Sequence, residues 1–89
     1  MSDLIQVLVV DDLENQSNIL RKVLVKKGLV VTEENNSVNA KKLIEENFYD
    51  LIVSDLQMPE VSGMDLLKIT PKETLFIMIT GYGSVMTAV

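Results

Sequence analysis

The chain has 89 residues, of which 47% are hydrophobic and 24% charged, and its net charge is −5. This length suits one globular domain, and the acidic balance disfavours direct binding of nucleic acid by this segment. Cysteine and histidine are both absent, which excludes disulfides, thiolate metal sites and His-dependent catalysis. The N-terminus does not resemble a signal peptide, and no apolar run approaches the roughly 18 residues of a membrane span. We therefore expect a cytoplasmic protein without a membrane partner.

Hydrophobic patterning in the first half of the chain predicts alternating strands and helices. A valine-rich apolar run at residues 5–10 predicts a strand buried on both faces. Apolar residues at helical spacing then predict a helix over residues 14–27, with Asp12 as its candidate N-cap. A second strand at residues 29–33 and a second helix at residues 38–47 follow.

The second half of the chain continues this alternation. A third strand is predicted at residues 51–55, a short helix at residues 64–69, and a wholly apolar fourth strand at residues 75–79. Ser84 is a candidate cap for a further helix, which begins before the chain ends at Val89. Strands alternating with helices imply βαβ units, so the sequence predicts an α/β fold with an open parallel sheet and helices on both faces.

Polar side chains stand at the ends of three predicted strands. Asp11 and Asp12 follow the first strand, Asp55 ends the third, and Thr80 follows the fourth. Ligands of open α/β sheets bind beyond the carboxyl ends of the strands, so we expect all four residues at one shallow site. Neighbouring carboxylates repel one another unless a cation is present, and their hard oxygen atoms favour Mg²⁺. A lone strand-end Asp is more often a helix cap or turn residue, so the pattern alone leaves both interpretations open.

Three segments resemble the motifs of response-regulator receiver domains, the phosphorylation switches of two-component signalling. Residues 7–12 (Val-Leu-Val-Val-Asp-Asp) resemble the family's acidic pair, and residues 51–59, followed by Gly63, resemble its phosphoacceptor segment. Residues 77–85 resemble its threonine switch segment. The three motifs occur in the family's order and span nearly the whole chain. The sequence of residues 80–85 (Thr-Gly-Tyr-Gly-Ser-Val) is most similar to that of receivers of bacterial enhancer-binding transcription activators.

The resemblance implies a role for each residue of the predicted site. Asp55 would accept a phosphoryl group from a sensor histidine kinase or a phosphotransfer protein. Asp11 and Asp12 would hold Mg²⁺ together with Asp55, and Thr80 would bond a phosphoryl oxygen and transmit the conformational change. The remaining implied contacts are from the backbone carbonyl of Gln57 to the metal and from the backbone N–H groups of Leu56 and Gly81 to the phosphate.

The resemblance also implies what the chain lacks. The family's sheet has the flavodoxin-like strand order 2-1-3-4-5, and its domain runs to roughly 120 residues. We therefore interpret residues 1–89 as one receiver domain, incomplete at its C-terminus, with four strands in the order 2-1-3-4 and without the fifth strand and fifth helix. The fourth strand would then be an exposed edge, which predicts a homo-oligomer formed by pairing of this edge with another chain.

Other functions are compatible with parts of the pattern. A truncated or engineered receiver fragment would act as an interaction module without efficient phosphotransfer, and treatment with acetyl phosphate would separate it from a working switch. A haloacid dehalogenase-type phosphatase also uses a strand-end Asp, but it has a second acid two residues later, where this chain has Gln57. A flavodoxin-like cofactor binder would need a Gly- or Ser/Thr-rich phosphate loop after the first strand. We therefore predict a phosphoacceptor switch rather than an enzyme.

Overall fold

The strands and helices alternate as predicted through the fourth strand. The computed structural model describes residues 4–79 and 85–88. In chain order the elements are β1 (Gln6–Val10), α1 (Glu14–Lys26), β2 (Val30–Glu34), α2 (Ser37–Glu46), β3 (Leu51–Asp55), α3 (Gly63–Ile69), β4 (Leu75–Ile79) and β5 (Val85–Ala88). The predicted bounds of the first seven elements differ from the observed ones by at most one residue. None of the helices in the described ranges is long and apolar enough to cross a membrane.

All of these strands belong to one sheet with the order β2-β1-β3-β4-β5. β1 pairs in parallel with both β2 and β3, and β3 pairs in parallel with β4. The predicted α/β class and the predicted order 2-1-3-4 of the parallel strands are therefore confirmed. Because these strands run in one direction, the carboxyl ends of β1, β3 and β4 lie side by side at one edge of the sheet.

β5 corrects the expectations about the end of the chain. It pairs antiparallel with β4, with Val85 opposite Ile79 and Ala88 opposite Phe76, whereas the sequence predicts a helix that begins after Ser84, a residue outside the described ranges. Pairing with the otherwise free edge of β4 satisfies the backbone N–H and C=O groups of this segment. The predicted exposed edge at β4 is thus wrong, because an antiparallel strand occupies the place beside it.

The helices cover the two faces of the sheet unequally. On the α2/α3 face, side chains of β1, β3 and β4 pack against α2 and α3 around a core of Leu8, Val10, Ala40, Ile44, Tyr49, Ile52, Leu66, Phe76 and Met78. On the α1 face, Val7, Val9 and Val53 form a smaller buried cluster, against which Leu20 and Leu24 of α1 pack. Successive strand residues point to opposite faces, so the nearly continuous apolar runs supply both layers.

Candidate acidic site at the strand ends

Three carboxylates meet at the carboxyl ends of β1 and β3. These strands are neighbours, with Val10 opposite Ser54 in the ladder, so Asp11 and Asp55 are the next residues of the two strands. One oxygen from each of Asp11, Asp12 and Asp55 lies within 4.8 Å of the others. Asp12 is exposed and the other two carboxylates are half-buried. The site is therefore a shallow acidic depression that a solute can reach from solvent.

Asp11 also organises the start of α1. Its Oδ1 accepts a hydrogen bond of 2.9 Å from the backbone N–H of Leu13. Leu13 is the N-cap residue and makes no side-chain capping bond, so the prediction that Asp12 caps this helix is wrong. The physical reason is that the chain turns through Asp11 in a short side-chain-to-backbone loop before the helix begins. Asp12 therefore stays exposed at the edge of the acidic cluster.

The pKa values of Asp11 and Asp55 are raised above their ordinary value. Loss of hydration on burial is the largest cause for both carboxyl groups. Repulsion adds to the rise, from Asp55 and Asp12 in the case of Asp11 and from Asp12 in the case of Asp55. The nearby backbone N–H groups of Leu56 and Gln57 oppose the rise at Asp55. A bound cation would relieve this unfavourable concentration of negative charge.

The backbone that follows Asp55 is held between β4 and α3. The N–H of Leu56 donates to the carbonyl oxygen of Ile79 at 2.9 Å, so the donor expected to contact a phosphate is engaged here in the sheet. The N–H of Gly63 donates in turn to the carbonyl oxygen of Leu56 at 2.9 Å. A Cβ atom at position 63 would lie 2.4 Å from the carbonyl oxygen of Asp55. Only glycine therefore allows α3 to begin this close to the end of β3.

The loop between β3 and α3 contains a γ-turn centred on Glu60. Glu60 has a φ of 70°, and the N–H of Val61 donates to the carbonyl oxygen of Pro59 at 2.8 Å. This backbone conformation is strained for a residue with a Cβ atom. The buried hydroxyl of Ser37 donates to the same Pro59 carbonyl at 2.6 Å and accepts from Val61 at 3.3 Å. The first residue of α2 therefore holds the turn in place, a contact that no sequence motif indicated.

The other predicted site residues are placed only in part. Gln57 is exposed and lies directly after the acceptor segment, and its carbonyl group as a metal ligand remains a prediction. Thr80 and Gly81 lie outside the described residues, so their predicted contacts to a phosphoryl group also remain predictions.

A cleft of about 190 Å³ opens on the α1 face beside the acidic site. Asp11 and Asp55 are among the residues that line the cleft, and its walls are mainly apolar side chains from α1, β1, β3 and β4, among them Leu20, Val23 and Ile79. Of the helices within residues 4–79, α1 packs on this side of the sheet, and the cleft shows that it does not close this side as far as β4.

Comparison with known proteins places the chain among signalling proteins. A protein-family model described as the response regulator receiver domain matches residues 7–89. The transcriptional regulatory protein ZraR of Klebsiella oxytoca is 36% identical over 89 residues, which cover 96% of this chain and 20% of ZraR. The response regulator protein PilR of Pseudomonas aeruginosa is 32% identical over 85 residues, which cover 92% of this chain and 19% of PilR. The chain thus spans about a fifth of the length of these two relatives.

Solved structures support the same relationship. The receiver domain of the Francisella response regulator 1452 is 33% identical and superimposes with a TM-score of 0.78, over 89% of this chain and 68% of that one. The beryllofluoride-activated NtrC4 receiver domain, solved as a dimer in solution, is 35% identical with a TM-score of 0.75, again over 89% of this chain and 68% of that one.

Proposed function

The chain belongs to the family of response regulator receiver domains, and we propose that it is a phosphoacceptor switch of two-component signalling with Asp55 as the acceptor. The observation that supports this most directly is the cluster of three carboxylates within 4.8 Å at the carboxyl ends of neighbouring parallel strands. A sensor histidine kinase or phosphotransfer protein would supply the phosphoryl group in the cytoplasm. The domain itself would act as a regulatory substrate rather than as an enzyme.

The donor set of the acidic site fits Mg²⁺. Asp11, Asp12 and Asp55 offer hard carboxylate oxygens close enough to share one small cation. The backbone carbonyl of Gln57 would complete the set of protein ligands, and water would fill the remaining positions. When bound, the cation would reduce the charge repulsion between an acidic acceptor and an anionic phosphoryl group.

Two backbone contacts and the partial exposure of its side chain support Asp55 as the acceptor. Its backbone is fixed on one side by the ladder to Ile79 and on the other by the close approach of Gly63. Its carboxylate is half-buried but still open to solvent. In the transfer, a P–O bond to Asp55 forms as the P–N bond of the donor phosphohistidine breaks, and the released imidazole takes up a proton. Thr80, directly after β4, would then bond a phosphoryl oxygen.

The relatives suggest an output and an assembly for the whole protein. ZraR is named as a transcriptional regulatory protein, so we extend the proposal to regulation of transcription through parts of the protein beyond this domain. The NtrC4 receiver was solved as an activated dimer, and we likewise propose that phosphorylation favours a homo-oligomer of this chain. The edge of β4 does not offer the interface, because β5 pairs with it.

Incubation with acetyl phosphate and Mg²⁺, followed by mass spectrometry of the intact chain and its peptides, tests the acceptor role. We expect one added phosphoryl group, located on Asp55, and no addition when Mg²⁺ is removed. Asp55→Asn should abolish the addition, while Glu46→Gln, which removes an exposed carboxylate from α2, should leave it unchanged. Phosphate on another residue of the wild-type chain would contradict the assignment. A chain that binds Mg²⁺ but takes up no phosphate would favour an interaction module.

A further inference from the structure

A chain of polar contacts connects α1 and β2 to the backbone of the acidic site. The amide Nδ2 of Asn35, just after β2, donates to the carbonyl oxygen of Asp11 at 2.8 Å and to Oγ of Ser17 at 2.7 Å. The Ser17 hydroxyl is hydrogen-bonded to the carboxylate of Glu33. Glu33 also accepts from Nε of Arg21 at 3.0 Å. We call these four side chains, Asn35, Ser17, Glu33 and Arg21, the Asn35 network.

The Asp11 carbonyl is the point at which this network meets the site. The pairing of β1 with β2 and with β3 ends at Val10, so the carbonyl of Asp11 lies where β1 leaves the sheet. A half-buried backbone carbonyl needs a hydrogen-bond donor, and Asn35 supplies one. The same bond fixes the peptide plane between Asp11 and Asp12, since this carbonyl group and the Cα atoms of both residues lie in that plane. The relative placement of the two carboxylates therefore depends on Asn35.

The side chain of Asn35 is itself held in one orientation. Ser17 is only 1% exposed, and its hydroxyl can donate one hydrogen while it accepts another. Because Oγ accepts from Asn35, the one hydroxyl hydrogen of Ser17 points away from Asn35, toward the Glu33 carboxylate or toward the carbonyl oxygen of Glu14, which lies 3.0 Å from Oγ. The ion pair with Arg21 keeps the Glu33 carboxylate in place. Rotating the amide by half a turn would bring its oxygen against the carbonyl oxygen of Asp11. The two acceptors of its Nδ2 thus specify one orientation for the Asn35 amide.

We propose that Asn35 is a positioning residue for Asp11 and Asp12, oriented by Ser17 and Glu33, and that it sets the affinity of the acidic site for a divalent cation. This inference rests on the proposed function, because it takes the acidic cluster as the cation site. Groups that orient metal ligands without contacting the metal typically change affinity about 10–100-fold when they are removed. Asn35 would act in this way through the backbone rather than through a ligand side chain.

The test is a titration of the chain with Mg²⁺, followed by the backbone amide resonances of residues 11–13 and 55–57. Asn35→Leu keeps the approximate size of the side chain and removes its donors, and Asn39→Leu, at an exposed position on α2, is the matched control. We expect Asn35→Leu to raise the Kd for Mg²⁺ about tenfold and Asn39→Leu to leave it unchanged. The rise in melting temperature caused by a fixed Mg²⁺ concentration should shrink in parallel for Asn35→Leu alone.

A purely structural role for Asn35 would give a different result. It would lower the melting temperature equally with and without Mg²⁺ and leave the Kd unchanged, and this outcome would overturn the proposal. If Asn35→Leu does not fold, Ser17→Ala decides the question, because it keeps Asn35 but removes the acceptor that orients it; a raised Kd supports the proposal and an unchanged Kd overturns it. A wild-type chain whose resonances do not respond to Mg²⁺ would remove the proposed cation site as well.

Discussion

Alternate residues of β4 show how differently the two faces of the sheet are covered. On the α2/α3 face, Phe76 and Met78 are 0% and 2% exposed. Between and beyond them, Ile77 and Ile79 on the α1 face are half-buried, and Leu75, on the same side by alternation, is 40% exposed. The two sets of side chains are equally apolar, so the difference comes from what packs on them. Within the described part of the chain, α2 and α3 cover one face, and α1 covers part of the other.

Stability and access to the acidic site are associated with different faces of the sheet. Burial of apolar surface stabilises the fold in proportion to the area removed from water, so the α2/α3 face should contribute most. On the α1 face, Ile19 is 65% exposed, and the cleft that remains open reaches Asp11 and Asp55. The acidic site therefore adjoins the α1 face, which is the less covered one. On the α2/α3 face, α3 begins at Gly63, in close contact with the backbone of Asp55.

Truncation of neighbouring β4 residues should give the largest effect and would test the comparison directly. Phe76→Ala, on the α2/α3 face, should lower the free energy of unfolding by about 3–5 kcal/mol, because it leaves a cavity in a packed core. Ile77→Ala, on the α1 face, should lower it by roughly 1 kcal/mol, because water already reaches this side chain. Urea-induced unfolding followed by circular dichroism measures both. Equal losses for the two variants would show that the α1 face is closed in solution.

Gly63→Ala should disturb the contact between α3, which packs on the α2/α3 face, and the backbone of Asp55 in the acidic site. The added Cβ would meet the Asp55 carbonyl oxygen at 2.4 Å, so α3 must move away, at a cost of about 1–3 kcal/mol. The amide resonances of Asp55 and Leu56 should shift as well. Gly28→Ala is the matched control, because its Cβ would meet nothing within 4 Å although its φ is 87°. Gly28→Ala should lose stability through backbone strain alone and leave the amide resonances of Asp55 and Leu56 unshifted. Equal shifts of these resonances in both variants would contradict the prediction.

The smallest effect concerns the charge of Asp55, which lines the open cleft. Its raised pKa means that the folded state holds the proton more tightly than the unfolded state, whose ordinary value is 3.8. Below that pH the group does not oppose folding, and stability falls as the pH rises through the raised pKa. Asp55→Asn should therefore melt a few degrees higher than the wild type near neutral pH without divalent cations.

Thermal melting from pH values below 3.8 to neutral pH would measure the difference in melting temperature between the wild type and Asp55→Asn. This difference should vanish in acid. Mg²⁺ supplies the control, because it should stabilise the wild type more than Asp55→Asn and so narrow the gap near neutral pH. A wild type that melts higher than Asp55→Asn at neutral pH in the absence of divalent cations would contradict the assigned cost of the buried charge.

Much of the fold and the centre of the site could be predicted because their signals are local. The apolar run before Asp11 and the one that ends in Asp55 each indicate a buried strand, and parallel strands bring their ends together. The individual contacts of the site were less predictable. Asp11 rather than Asp12 bonds the start of α1, and Ser37 holds the strained turn at Glu60. The bond from Asp11 is local, but two adjacent aspartates offer the same side chain for it, so the sequence does not choose between them. The Ser37 contact joins segments that are far apart in sequence and has no local signature.

Local sequence patterns were enough to predict the seven alternating elements and the gathering of Asp11, Asp12 and Asp55, since periodicity and strand-end positions are properties of short segments. The order of the four parallel strands followed from the resemblance to receiver domains. The pairing of β5 with β4, the partly open α1 face and the contact of Asn35 with the Asp11 carbonyl emerged only from the packed fold. These features depend on distances between segments that are far apart in sequence. An asparagine after a strand has the same local pattern whether its amide faces water or the backbone of a neighbouring strand, and packing alone distinguishes the two.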